Sequence, residues 1–156
     1  MKKLIIVLAI FISVFSGAKA QDYENAIGLR GGLFSGLTFK HFISNKAALE
    51  GLLETRWGGF NITGLYEVHA NAFDVDRLNW YYGAGANIGF YSGKNTPWGT
   101  LGTSYSLIGI DGILGIEYNI PDIPINISID CKPVLSLVGY TDFWADGAAI
   151  SIRYIF

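Results

Sequence analysis

The chain has 156 residues, of which 51% are hydrophobic and only 15% charged, with a formal charge of −2 and a single cysteine, Cys131. Ordinary soluble domains carry about 25% charged residues, so this composition points away from one. The charge balance gives no footing for nucleic acid, the lone cysteine excludes an internal disulfide, and the length suits one domain.

Residues 1–20, MKKLIIVLAIFISVFSGAKA, begin with Lys2 and Lys3, run apolar from Leu4 to Phe15, and end small-x-small at Ala18, Lys19 and Ala20. This is the pattern of a secretory signal peptide cleaved before Gln21. An uncleaved anchor is the competing reading, for which the apolar run is short. No cysteine stands at the cleavage point, which argues against a lipoprotein. Without Lys2, Lys3 and Lys19, residues 21–156 hold 8 basic and 13 acidic groups, a formal charge of −5.

Past residue 20 no uninterrupted apolar stretch reaches the ~20 residues of a transmembrane helix. The period is two instead. In INISIDCKPVLSLV, residues 125–138, Ile125, Ile127, Ile129, Cys131, Pro133, Leu135 and Leu137 share one face, opposite Asn126, Ser128, Asp130, Lys132 and Ser136. Such alternation predicts eight strands, near 26–33, 37–44, 46–57, 60–72, 78–91, 106–119, 124–138 and 147–156. The connections, at Ser35-Gly36, Asn45, Gly58-Gly59, 73–77, 92–105, Pro121-Asp122 and 139–146, read as hairpin turns or loops, so neighbours are antiparallel. An open sheet of this size would leave two hydrophobic edges; closing it into an up-and-down barrel removes them.

Alternation alone leaves open which face meets solvent, and a soluble lipocalin-like carrier has the same period. The composition of the polar face decides for an inside-out barrel. Gly28, Gly32, Gly83, Gly85, Gly89, Gly109 and Gly115 fall on it, as a crowded eight-strand interior requires. Its charges nearly cancel: Arg30, Lys40, Arg56, Lys132 and Arg153 against Glu50, Glu54, Glu67, Asp111, Glu117 and Asp130. That is the make-up of an internal ion-pair network. Aromatics collect at strand ends, with Trp80, Tyr82, Tyr118, Tyr154 and Phe156 near one rim and Trp57, Phe60, Phe90, Tyr140, Phe143 and Trp144 near the other. Two such belts suit the interfaces of a bilayer.

Weighed as chemistry, most other signals are bland. His69 falls inside next to Glu67 and reads as a member of the polar network rather than a catalytic base; His41 falls on the apolar face. Glu50 and Glu54 beside Arg56 could form a paired-carboxylate site, but the surrounding cations favour a structural role. Asp74 and Asp76 are a weak calcium signal and read as a solvated turn. The Gly83-x-Gly85 pair has the wrong spacing for a dinucleotide loop, and Cys131 lies on the apolar face. No metal or cofactor is expected. The two long loops carry Trp98, Phe143 and Trp144, which either contact an extracellular protein or glycan or anchor the rim in lipopolysaccharide.

The final strand, with Ile150, Ile152, Tyr154 and the terminal Phe156, resembles the C-terminal signal by which the outer-membrane assembly machinery of Gram-negative bacteria recognises its β-barrel substrates. LNWYYGAGANIGFY, residues 78–91, is similar to the fifth strand of small outer-membrane barrel proteins, and the strand count resembles the OmpA transmembrane domain and OmpX. The resemblance covers residues 21–156 and departs from full-length OmpA in lacking a peptidoglycan-binding domain, which argues against wall tethering. It implies an eight-stranded antiparallel transmembrane β-barrel in the outer membrane, contacting lipid, lipopolysaccharide and the barrel assembly machinery. The expected role is structural, surface-interacting or envelope-maintaining, without enzymatic activity or an open pore. A soluble lipocalin-like carrier and a lipid-modifying barrel enzyme are the alternatives.

Overall fold

A computed structural model describes residues 22–94, 96, 97, 99, 101–139, 141–145 and 147–156. The signal peptide expected at 1–20 lies outside the described residues, as do Trp98 and Tyr140.

The described chain is all strand and turn. β1 (Asn25–Gly32), β2 (Ser35–Phe42), β3 (Ala47–Arg56), β4 (Gly59–Asn71), β5 (Leu78–Ser92) and β6 (Ser104–Asn119) follow one another as antiparallel neighbours. β7 (Ile125–Cys131) and β8 (Val134–Val138) both pair with β6 and together form the seventh stave. β9 (Asp142–Trp144) pairs with β8, and β10 (Ala148–Ile155) pairs with β7 on one side and β1 on the other. The sheet therefore closes into an antiparallel barrel of eight staves. Below, the rim carrying Asn25 and Ile155 is called lower and the opposite rim upper.

The strands differ from the sequence expectation in four places, three of them with a local cause. The seventh stave is split at Pro133, which has no N–H to give to a ladder, although its carbonyl still accepts from Gly112 at 2.9 Å. Residues 142–144, expected within a loop, form the short β9 against β8. The first hairpin turns at Leu33 and Phe34 rather than Ser35-Gly36, because the Ser35 hydroxyl accepts from the Gly32 N–H at 3.1 Å and donates to the Gly32 carbonyl at 2.7 Å. The third turn is Trp57-Gly58 rather than Gly58-Gly59: both central residues have positive φ, 51° and 65°, as a primed two-residue hairpin demands. Gly59 starts β4, where the Tyr91 ring occupies the space of a Cβ.

The side chains sort by parity. Inward positions are polar and buried; outward ones are apolar and exposed, including Leu29 at 67%, Ile129 at 55% and Ile150 at 54%. Two small apolar clusters sit inside the barrel: Tyr23, Ala26, Phe42 and Ala48 at the lower rim, and Leu52, Leu65, Tyr81 and Ile113 midway.

Candidate functional site: the ionic interior

Ten of the eleven charged residues expected inside are buried there, in two clusters, while Arg56 is half-buried at the mouth. In the upper one, Arg30 from β1 forks onto Asp130 from β7, with Nη1 and Nη2 each 2.6 Å from a carboxylate oxygen, while its Nε donates to Glu54 of β3 at 3.0 Å. Lys132, just past β7, bridges Glu54 at 2.9 Å and Asp111 of β6 at 3.4 Å. Asn87 donates to the other Asp111 oxygen at 2.7 Å, and the Tyr81 hydroxyl donates to Asp130 at 3.0 Å. A planar guanidinium matched to a carboxylate in this way combines charge with fixed geometry.

Above this cluster the mouth is covered by aromatic rings. Phe34, buried, lies under Arg56 and beside Lys132, with each cation 4.7 Å from its ring centre. Arg56 also stacks over Trp57 at 3.9 Å, and Trp57 packs edge-on against Trp144 and Tyr91 at 5.8 and 6.1 Å. Trp57 thus reaches from the β3–β4 turn to β9.

In the lower cluster, Arg153 of β10 donates to Glu50 of β3 at 2.5 Å, to Ser128 at 2.7 Å, to Asn126 at 3.2 Å and to Thr38 at 3.0 Å. The Thr38 hydroxyl in turn donates a hydrogen bond to Glu50. The Lys40 ammonium lies 2.8 Å from Glu67, 3.5 Å from Glu117 and 4.0 Å from Glu50, with the face of Tyr81 at 4.1 Å. His69 has Nε2 3.1 Å from Glu67 and Nδ1 3.3 Å from Glu117, and its ring stacks on Tyr81. The Tyr23 hydroxyl donates to Glu117 at 3.1 Å from below. Burial, reinforced by the Glu117 carboxylate, pushes that hydroxyl well above the ordinary phenol value, so Tyr23 stays a donor.

Glu50 and Glu54 do not act as a carboxylate pair: Glu50 belongs to the lower cluster and Glu54 to the upper. Asp74 and Asp76 lie exposed in the β4–β5 turn, and among the described residues no group of three His, Cys, Asp or Glu could hold a metal ion. His41 points outward with Nδ1 2.8 Å from the Asn25 side-chain oxygen, and Cys131 is exposed on the outer face. Phe143 is 60% exposed at the upper rim, whereas Trp144 is half-buried against Trp57. Ile150, Ile152, Tyr154 and Phe156 all project outward, and the Phe156 backbone exchanges two hydrogen bonds with Asn25 at 2.8 and 2.9 Å.

Of the neutral residues that complete the network, Asn126 and Ser128 lie on the polar face read from the alternation, whereas Thr38, Asn87, Tyr23 and Phe34 carry no separate signal. Thr38 and Asn87 were accessible by parity alone; Tyr23 and Phe34 lie outside any strand, where no periodicity reaches. No family model matches the chain, and neither a curated protein nor a solved structure matches it.

Proposed function

We propose that the chain is an integral outer-membrane β-barrel protein with a structural, surface-interacting or envelope-maintaining role, sealed rather than porous and without catalytic turnover. The observation that carries this reading is the inversion of the two faces. Ile27, Leu29, Leu53, Ile62, Ile108, Ile129 and Ile152 are exposed on the outside while Arg30, Lys40, Glu50, Glu67 and Arg153 are buried within. In water so extended an apolar surface would associate; against hydrocarbon it is satisfied. Closure also pairs the strand edges, a requirement of lipid surroundings. A lipocalin-like carrier needs the opposite arrangement, an apolar lining around a cavity.

The rims fit the same reading. Tyr82, Tyr118, Tyr154 and Phe156 stand exposed below, and Phe60, Phe90 and Phe143 above, where interfacial aromatics anchor a barrel among headgroups and lipopolysaccharide. The outward alternation of Ile150, Ile152, Tyr154 and Phe156 supports delivery by the barrel assembly machinery. Phe143, with Trp98 and Trp144, remains the candidate contact for an extracellular protein or glycan. Phe34 and the mouth rings above, with Tyr23 and Phe42 below, support a barrel without a continuous channel.

Fractionation tests the proposal. The protein should stay in the membrane pellet through carbonate washing, require detergent for extraction, and migrate differently in electrophoresis before and after heating. Release into the soluble fraction by carbonate would sink it.

A further inference from the structure

The two interior clusters are matched in number but not in kind. The upper one sets Glu54, Asp111 and Asp130 against Arg30, Lys132 and, at the mouth, Arg56. The lower one sets Glu50, Glu67 and Glu117 against Lys40 and Arg153, which leaves one carboxylate over beside His69. Arginine and lysine carry their charge throughout the ordinary pH range, but histidine changes its own there.

His69 sits between two carboxylates, hydrogen-bonded to Glu67 through Nε2, with Nδ1 close to Glu117 but not aligned on it. A neutral imidazole has one N–H and one lone pair. Here Nε2 is 3.1 Å from one carboxylate and Nδ1 is 3.3 Å from another, in a side chain with no solvent exposure. With the Nδ1 proton missing, a buried lone pair would lie 3.3 Å from the Glu117 carboxylate, an unfavourable approach. The groups around the ring are Tyr23 ahead of β1, Lys40 and Phe42 on β2, Glu67 on its own strand, Tyr81 on β5 and Glu117 on β6; Glu50 of β3 and Arg153 of β10 complete the cluster. The His69 backbone is fixed as well, donating to the Lys46 carbonyl at 2.7 Å.

We propose that His69 is a proton-dependent keystone: doubly protonated on its ring, it neutralises the lower cluster, and removal of one proton loosens the lower half of the barrel while the upper half holds. The sign follows from which state owns the contacts. The carboxylates face His69 only in the folded barrel, so the folded state gains from the proton, and stability falls as rising pH removes it.

The test uses the purified full chain kept folded in detergent. Ring 15N shifts, with His41→Gln used to assign the two histidines, should report an imidazolium for His69 at about pH 6, just below the ordinary histidine value of about 6.5. Between about pH 6 and about pH 9 the unfolding constant in urea should rise on the order of tenfold, and amide exchange should quicken around His69, Phe42 and Asn25 but not around Arg30 and Asp111. His69→Gln should abolish this pH dependence. A neutral ring tautomer at about pH 6, as would occur if Glu67 carried the proton instead, overturns the proposal. So does a flat wild-type stability profile, or an unchanged one in His69→Gln. If that variant does not fold, the wild-type ring shifts still decide. None of these readings depends on where the barrel resides.

Discussion

Arg153 and Glu50 stand 103 residues apart in the chain and meet at 2.5 Å inside the barrel. The last strand is thereby tied to the third across the lumen, in addition to its backbone ladders with β1 and β7. Arg153 gives its remaining donors to Thr38, Asn126 and Ser128, so one guanidinium joins four staves.

Removing one side of this pair should cost far more than removing both. Arg153→Met leaves Glu50 buried and uncompensated, and should destabilise the barrel by about 3 to 5 kcal/mol. Adding Glu50→Leu should recover much of that loss. Urea unfolding followed by tryptophan fluorescence measures both; additive losses would show that the pair does not act as a unit.

The outer face should reject charge and accept bulk. Leu29→Arg or Ile129→Arg should cost roughly 2 to 4 kcal/mol if these positions face the bilayer midplane. Leu29→Phe should be nearly silent. Yield of the heat-shifted folded form in isolated membranes gives the comparison.

Two glycines should respond oppositely to alanine. A Cβ on Gly115 would lie 2.5 Å from the Tyr81 ring and 2.6 Å from the Asp130 Cβ, whereas one on Gly51 would meet nothing within 4 Å. Gly115→Ala should therefore destabilise by about 1 to 3 kcal/mol through overpacking. Gly51→Ala should be neutral or slightly stabilising. Thermal melting in detergent separates them, and equal effects would contradict the placement of Tyr81.

Tyr23→Phe should lose about 1.5 to 3 kcal/mol, the usual worth of a hydrogen bond to a charged acceptor. The damage should stay local. Hydrogen exchange ought to quicken at Asn25 and Phe42 near the lower rim while Gly89 and Leu107 stay protected; a uniform change would mean that Tyr23 does not seal that end.

Much of this arrangement was legible because period two assigns every strand residue a face. Lys40, Glu67 and Glu117 belong to three strands, yet parity alone points all of them inward. Which charges meet is another matter. It depends on stagger between strands, so Glu50 and Glu54, neighbours by parity, join different clusters. The turns were read by glycine and serine content, but a hydroxyl clamp at Ser35 and a left-handed Trp57 shift them by one or two residues. Tyr23 and Phe34 escaped notice because they sit outside the alternating runs, where only the closed barrel gives them partners.

The interior contacts also constrain how the barrel can form. Arg30 reaches Asp130 across a separation of 100 residues, and Tyr23 reaches Glu117 across one of 94. Some counter-ions arrive early, as Lys40 meets Glu50 and Glu67 within the first four strands, but Asp130 reaches Arg30 and Arg153 reaches Glu50 only from the far end of the chain. Neutralising the interior is therefore finished only when the last strand docks on the first.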